Sequence, residues 1–148
     1  MLKKISILGS TGSIGVNALE VISNLKKSFK VKYLSTNKNV NLLISQIKEH
    51  KPQSVAVVDE LAAEKIKSAL DEMGIELLVG KVGLLDLSQR HDVDLVLNGL
   101  VGASGMQPTI NAIRAGVNVA LANKESLVMA GNIINKELEN SDLSLIHI

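Results

Sequence analysis

The residues Gly9-Ser10-Thr11-Gly12-Ser13-Ile14-Gly15 stand between a short apolar run and a segment of helical period. Three glycines in that setting suit phosphate chemistry. They let the backbone turn tightly and approach a pyrophosphate, while the following helix presents unpaired N–H groups and the positive end of its dipole. Thr11, Ser13 and Ile14 are the expected backbone donors, with Gly12 leaving room for the ligand. The spacing is G-x-x-G-x-x-G rather than G-x-G-x-x-G, so a glycine-rich structural turn is the competing reading.

A second group of residues bears on the choice of dinucleotide. An acidic side chain at the end of the second strand would bond the adenosine ribose hydroxyls of NAD. Here that position reads Ser35-Thr36-Asn37-Lys38-Asn39. Lys38 brings positive charge and its neighbours bring polar donors, which suits a 2′-phosphate and favours NADP over NAD. The alternative makes Asn37 and Asn39 turn and cap residues and Lys38 a solvated charge.

Farther along, Asn98-Gly99-Leu100-Val101-Gly102-Ala103-Ser104-Gly105 follows another strand and is a natural place for the nicotinamide end, or else a turn leading into the next helix. In Ala122-Asn123-Lys124-Glu125-Ser126, Asn123 or Ser126 suits an N-cap. Lys124 in a first helical turn opposes the dipole. Either it holds an anionic or oxygen-rich substrate, with Glu125 fixing local hydrogen bonds, or it is a solvated surface lysine.

These groups need elements to place them. Strand patterns cover 5–8, 31–34, 54–58, 76–79, 93–97, 117–121 and 144–148. Helical patterns cover 13–25, 40–49, a stretch through Ala62, Ile66, Ala69 and Leu70 to Gly74, a weak segment over 82–87, then 106–115 closed by Gly116, and 126–139. Asp59 is the expected N-cap of the third helix. Strands separated by helices of this length imply right-handed parallel crossovers. The expected fold is α/β, a doubly wound, mostly parallel sheet with helices on both faces, Rossmann-like.

The chain has 148 residues, 46% of them hydrophobic, enough for one domain with a sizeable core. With one Phe, one Tyr and no Trp, that core must be aliphatic, and stacking platforms for single-stranded nucleic acid are missing. Sixteen Lys and Arg against fifteen Asp and Glu leave a net charge of +1 and no basic arm, so nucleic acid is not an expected partner. No apolar stretch reaches the roughly 20 residues that span a bilayer. The first strand pattern begins at once, so no leader and no membrane are expected and the location is read as cytoplasmic. Zero cysteines exclude thiolate chemistry. His50 and His91 read as cap or surface residues and His147 as strand packing, so neither a metal site nor a catalytic residue is assigned. The last strand pattern ends the sequence without a turn, which reads as a fragment.

Taken together, Ile7 through Gly15, then Lys38-Asn39, Gly102-Ala103 and above all Leu121-Ala122-Asn123-Lys124-Glu125-Ser126-Leu127-Val128 resemble the deoxyxylulose-phosphate reductoisomerases over the whole chain. The Asn-Lys-Glu-Ser segment at this distance from the glycine loop is the more specific element. The resemblance implies NADPH contacts from Thr11, Gly12, Ser13, Ile14, Lys38, Asn39, Asn123 and Glu125, with Lys124 reaching a sugar-phosphate substrate. Asn37 stands where the family usually has Gly; its backbone contact is expected to survive through asparagine's tolerance of left-handed geometry.

The family isomerises and reduces 1-deoxy-D-xylulose 5-phosphate to 2-C-methyl-D-erythritol 4-phosphate, an isoprenoid precursor, with Mg or Mn as Lewis acid, and the complete enzyme is expected to be a homodimer. Its acidic metal motif follows a strand matched here by Leu145-Ile146-His147-Ile148, with His147 in place of Pro. The expectation is an NADPH-binding domain over 1–148 that lacks the metal ligands and does not turn over. Short-chain dehydrogenases need Tyr-x-x-x-Lys, but Asn37 lies four residues after Tyr33; aspartate-semialdehyde-type dehydrogenases need a cysteine. A non-catalytic NADP-binding regulatory module is the reading from a different class.

Overall fold

The computed structural model describes residues 2–122 and 124–147. Within them the chain alternates strand and helix: β1 (Lys3–Leu8), α1 (Ser13–Ser23), β2 (Phe29–Thr36), α2 (Val40–His50), β3 (Ser54–Val57), α3 (Glu60–Met73), β4 (Glu76–Val79), α4 (Gly80–Ser88), β5 (Leu95–Asn98), a 3-10 turn (Gly102–Gly105), α5 (Met106–Arg114), β6 (Asn118–Leu121), α6 (Lys124–Glu139) and β7 (Leu145–His147). All described strand pairs are parallel, in the order β4-β3-β2-β1-β5-β6-β7. The doubly wound expectation therefore holds, and the strands that read as near-continuous apolar runs are those covered on both faces.

The chain winds outward from β1 in one direction through β4, then returns to β1's other side and winds outward again through β7. Successive connections diverge at the boundary between β1 and β5, which opens a crevice at the carboxyl ends of the strands. Two cores flank the sheet. On one face Leu19 and Ile22 of α1, Leu43 and Ile47 of α2, and Ile66 and Leu70 of α3 pack on Ile5, Ile7, Val31 and Val55. On the other, Leu84 and Leu87 of α4, Ile110 and Ile113 of α5, and Ile134 of α6 pack on Leu8, Val96, Val119 and Leu121.

The core is aliphatic with one exception. Ile5 pairs with Val31 but Ser6 with Tyr33, so β2 carries one extra residue, Lys32. That bulge reverses the alternation and sends Tyr33 to the opposite face from Val31. Tyr33 is fully buried, and its hydroxyl meets the Asp92 carboxylate at 2.8 Å. Burial first, then Asp92, raises the phenol's pKa above its ordinary value.

Boundaries shift where side chains compete with the backbone. α1 stops at Ser23 rather than 25, where Ser23 Oγ donates to the Leu19 carbonyl and Asn24 Nδ2 to the Glu20 carbonyl. β5 starts at Leu95 rather than 93, because Asp94 turns its carboxylate onto the Lys4 amide at 2.8 Å. Asp59 caps α3 as expected, accepting from the Ala62 amide at 2.9 Å. The weak pattern over 82–87 is a helix, Gly80–Ser88.

Candidate functional site

The glycine loop follows β1 and opens α1 at the crevice. Gly9 has φ +76, a conformation that a side chain would strain, and its position faces the Gly99 carbonyl group, where a Cβ would lie 3.1 Å away. A Cβ on Gly15 would sit 2.5 Å from the Gly9 oxygen and the Ser10 Cα. Gly12 is the N-cap of α1, with no side-chain hydrogen bond closing the helix end and no acidic residue in the first turn. The amides of Ser13 and Ile14 belong to that first turn, which has no preceding carbonyl to pair with. Gly12, Ser13 and Ile14 are exposed, so the positive end of α1 faces solvent with nothing acidic of its own to neutralise it.

Buried polar side chains hold this loop in place. Ser35, on β2, accepts at its Oγ from the Gly9 amide at 2.9 Å, and its carbonyl accepts from the Ser10 amide at 2.8 Å. Thr11 and Thr36 share a hydroxyl contact of 2.6 Å. Gln46, on α2, bonds both the Ser10 hydroxyl and the Ser10 carbonyl at 2.8 Å. Ser35 and Thr36, in the polar segment that leads to Lys38, are thus buried strand residues spent on positioning the glycine loop. Gln46 and Ser10 escaped the sequence reading. A signal existed, because Gln46 lies three residues after Leu43 and just before Ile47, on the face of α2 where an apolar residue belongs.

The turn after β2 is exposed at Asn37, Lys38 and Asn39. Asn39 Oδ1 accepts from the Leu42 amide at 3.2 Å, so its side chain is the N-cap of α2, as the alternative reading held. Among the described residues no carboxylate pairs with Lys38. Asn37 accepts at its carbonyl from the Asp59 amide at 3.0 Å. Lys51 is the only non-glycine with positive φ among the described residues, so Asn37 has no left-handed geometry and that reason for its contact falls away.

Across the β1–β5 boundary, Asn98 is fully buried and organises the next loop. Its Nδ2 donates to the Gly105 carbonyl at 2.9 Å and to Thr109 Oγ1 at 2.8 Å, and its Oδ1 accepts from the Leu100 amide at 3.1 Å. Gly99 lies against Ile14, so the two loops meet over the crevice. Helix α6 begins at Lys124 rather than 126, at the end of β6 and on the same edge of the sheet. Asn123 lies outside the described residues, as do the side chains of Lys124, Glu125, Ser126 and His147. The structure brings 9–15, 37–39, 98–105 and the start of α6 to one edge.

Other charged groups lie elsewhere. Arg90 pairs with Glu76 at 2.8 Å and stacks 5.3 Å from the Tyr33 ring centre. Ser54 and Glu76, its partners, begin β3 and β4, so this cluster braces the opposite edge. His50 ends α2 with a largely buried side chain, and His91 is exposed. Among the described residues no group of three or more His, Asp or Glu could hold a metal ion, and no helix is long and apolar enough to cross a membrane.

The comparisons with known proteins agree with this geometry. The family model described as 1-deoxy-D-xylulose 5-phosphate reductoisomerase matches residues 5–131. The reductoisomerase of Chloroherpeton thalassium is 42% identical over 99% of the chain and 38% of its own length. A solved reductoisomerase from Zymomonas mobilis in complex with NADPH superposes with a TM-score of 0.93 at 30% identity, over 99% of this chain and 38% of that one. Another, in complex with NADPH, fosmidomycin and magnesium, has a TM-score of 0.88 at 30% identity, over 97% and 35%. The chain spans just over a third of the length of these relatives.

Proposed function

The chain belongs to the 1-deoxy-D-xylulose 5-phosphate reductoisomerase family, and from that membership we propose that residues 1–148 form its NADPH-binding domain. The observation that carries this is the meeting of an uncapped helix N-terminus with an acid-free, lysine-bearing turn at the crevice. The residues fit the cofactor. A pyrophosphate lies against the backbone amides of Thr11, Ser13 and Ile14, beside Gly12, whose amide is bonded to the Gly9 carbonyl at 3.2 Å and whose lack of a side chain keeps the approach open. The 2′-phosphate lies against Lys38 and the backbone of Asn37 and Asn39, since the Asn39 side chain is committed to α2. Asn123 and Glu125 complete the cofactor contacts and Lys124 reaches the sugar-phosphate substrate, by family likeness.

NADPH supplies hydride when bound. In the complete protein the reaction proposed is isomerisation and reduction of 1-deoxy-D-xylulose 5-phosphate to 2-C-methyl-D-erythritol 4-phosphate. Mg or Mn would assist there as a Lewis acid, and the described residues supply no ligand set for it. A cytoplasmic location and a homodimeric complete enzyme belong to the same proposal.

Titration of the chain with NADPH and NADH tests the reading. NADPH is expected to bind more tightly, and Lys38→Ala to weaken it by about 1.5–3 kcal/mol, the worth of a hydrogen bond to a charged group. NADH affinity should stay unchanged. Equal affinity for the two nucleotides would remove the 2′-phosphate assignment.

A further inference from the structure

Gln46 is a polar residue on the buried face of α2, and its amide is spent on one residue of the glycine loop. Nε2 donates to the Ser10 carbonyl at 2.8 Å and Oε1 accepts from Ser10 Oγ at 2.8 Å. A carbonyl only accepts, so the amide orientation is fixed by its partner. The remaining loop ties described above, through Ser35 and Thr36, run to β2. Gln46 ties the loop to α2, the helix whose N-terminus follows Lys38 and whose cap is Asn39.

We propose that Gln46 is a positioning residue that sets the spacing between the pyrophosphate loop and the 2′-phosphate turn. This rests on the cofactor reading above. NADPH spans both loops, so a spacing held before binding removes an ordering cost that the complex would otherwise carry. A ligand that touches only the 37–39 turn gains nothing from it. A residue that merely stabilised the fold would treat both ligands alike.

The test uses the 148-residue chain with two ligands: NADPH, and adenosine 2′-monophosphate, which has the 2′-phosphate but no pyrophosphate. Gln46→Met keeps the length of the side chain and removes both bonds. It is expected to weaken NADPH about tenfold, or about 1.4 kcal/mol. Adenosine 2′-monophosphate should change by less than about twofold. Ser10→Ala deletes the hydroxyl, which bonds Gln46 Oε1 at 2.8 Å and also lies 3.1 Å from the Ser35 carbonyl, and leaves the Gln46 bond to the Ser10 carbonyl. It should cost NADPH about threefold, a smaller loss than removal of both Gln46 bonds, and it carries the comparison if Gln46→Met does not fold. Thermal melts fix a temperature at which each protein is folded. Unchanged NADPH affinity, or equal losses for both ligands, would overturn the role. A parent chain that binds adenosine 2′-monophosphate and not NADPH would overturn it too, while one that binds neither overturns the cofactor reading on which it stands.

Discussion

Gly12 and Gly15 lie three residues apart and do different work. At Gly15 an added methyl would meet backbone atoms at 2.5 Å, which no side-chain rotation relieves. Gly15→Ala is expected to cost about 1–3 kcal/mol of stability, as overpacking does, and to lose NADPH binding with it. At Gly12 the nearest atom would be 3.5 Å away, an ordinary contact, at φ −78. Gly12→Ala should leave stability within about 0.5 kcal/mol, as exposed positions do, yet weaken NADPH by crowding its approach. Denaturant unfolding beside titration separates the two; equal destabilisation would show that both glycines are structural. The glycines were legible because their type is the signal. The serines and Gln46 that hold them were not, since a buried polar residue shows its purpose only through partners 25 and 36 positions away.

Helices α1 and α2 lie together beside the site, and His50 at the end of α2 gives their pairing a pH dependence. Burial lowers its pKa below the ordinary 6.5, with Glu49 opposing and Lys26 adding to the shift. A base whose folded pKa is depressed favours folding in its neutral form. Its contribution is complete above pH 6.5 and shrinks as pH falls through that value toward the lower folded pKa. Glu49 is lowered too, chiefly by the Ser23 hydrogen bond, but it is lost only below the carboxylate's ordinary 4.5. Between pH 7 and 5.5 the unfolding midpoint should therefore fall in the parent and stay level in His50→Gln, read by urea titration. A parent midpoint that is level over that interval would rule out the histidine's part. Most elements were legible from periodicity, and their ends were not. The Lys32 bulge in β2 leaves no mark in the composition, because it is a property of pairing with β1.

The sheet order makes a site from segments that are distant in the chain. Residues 9–15 and 98–105 become neighbours because β5 lies beside β1, and the start of α6 joins them through β6. A preformed site of this kind should stabilise its own domain when filled. At 100 times its Kd, NADPH is expected to add about 2.7 kcal/mol to unfolding free energy, read as a higher melting temperature. The proposed cofactor-binding role predicts that, with 1-deoxy-D-xylulose 5-phosphate, NADPH and Mg or Mn, the 148-residue chain shows no oxidation of NADPH. Measurable product would show that a competent centre lies within these residues.

Strand and helix periodicity, the glycine loop and the missing acid after β2 are local properties, and each could be read from neighbouring residues alone. They were sufficient for the fold class, and they carry the expectation of a phosphate loop and of a turn suited to a 2′-phosphate. Which side chains serve the ligand and which serve the loop is a property of packing. Ser35 and Thr36 stand in the same polar segment as Lys38, but parallel pairing of β1 with β2 turned them onto the glycine loop. Asn39 read either as a ligand or as a cap, and the free amides of α2 claimed its side chain, which leaves only its backbone for the proposed cofactor contact. Hydrogen bonds between distant segments depend on register and burial, and those are decided only when the strands have paired.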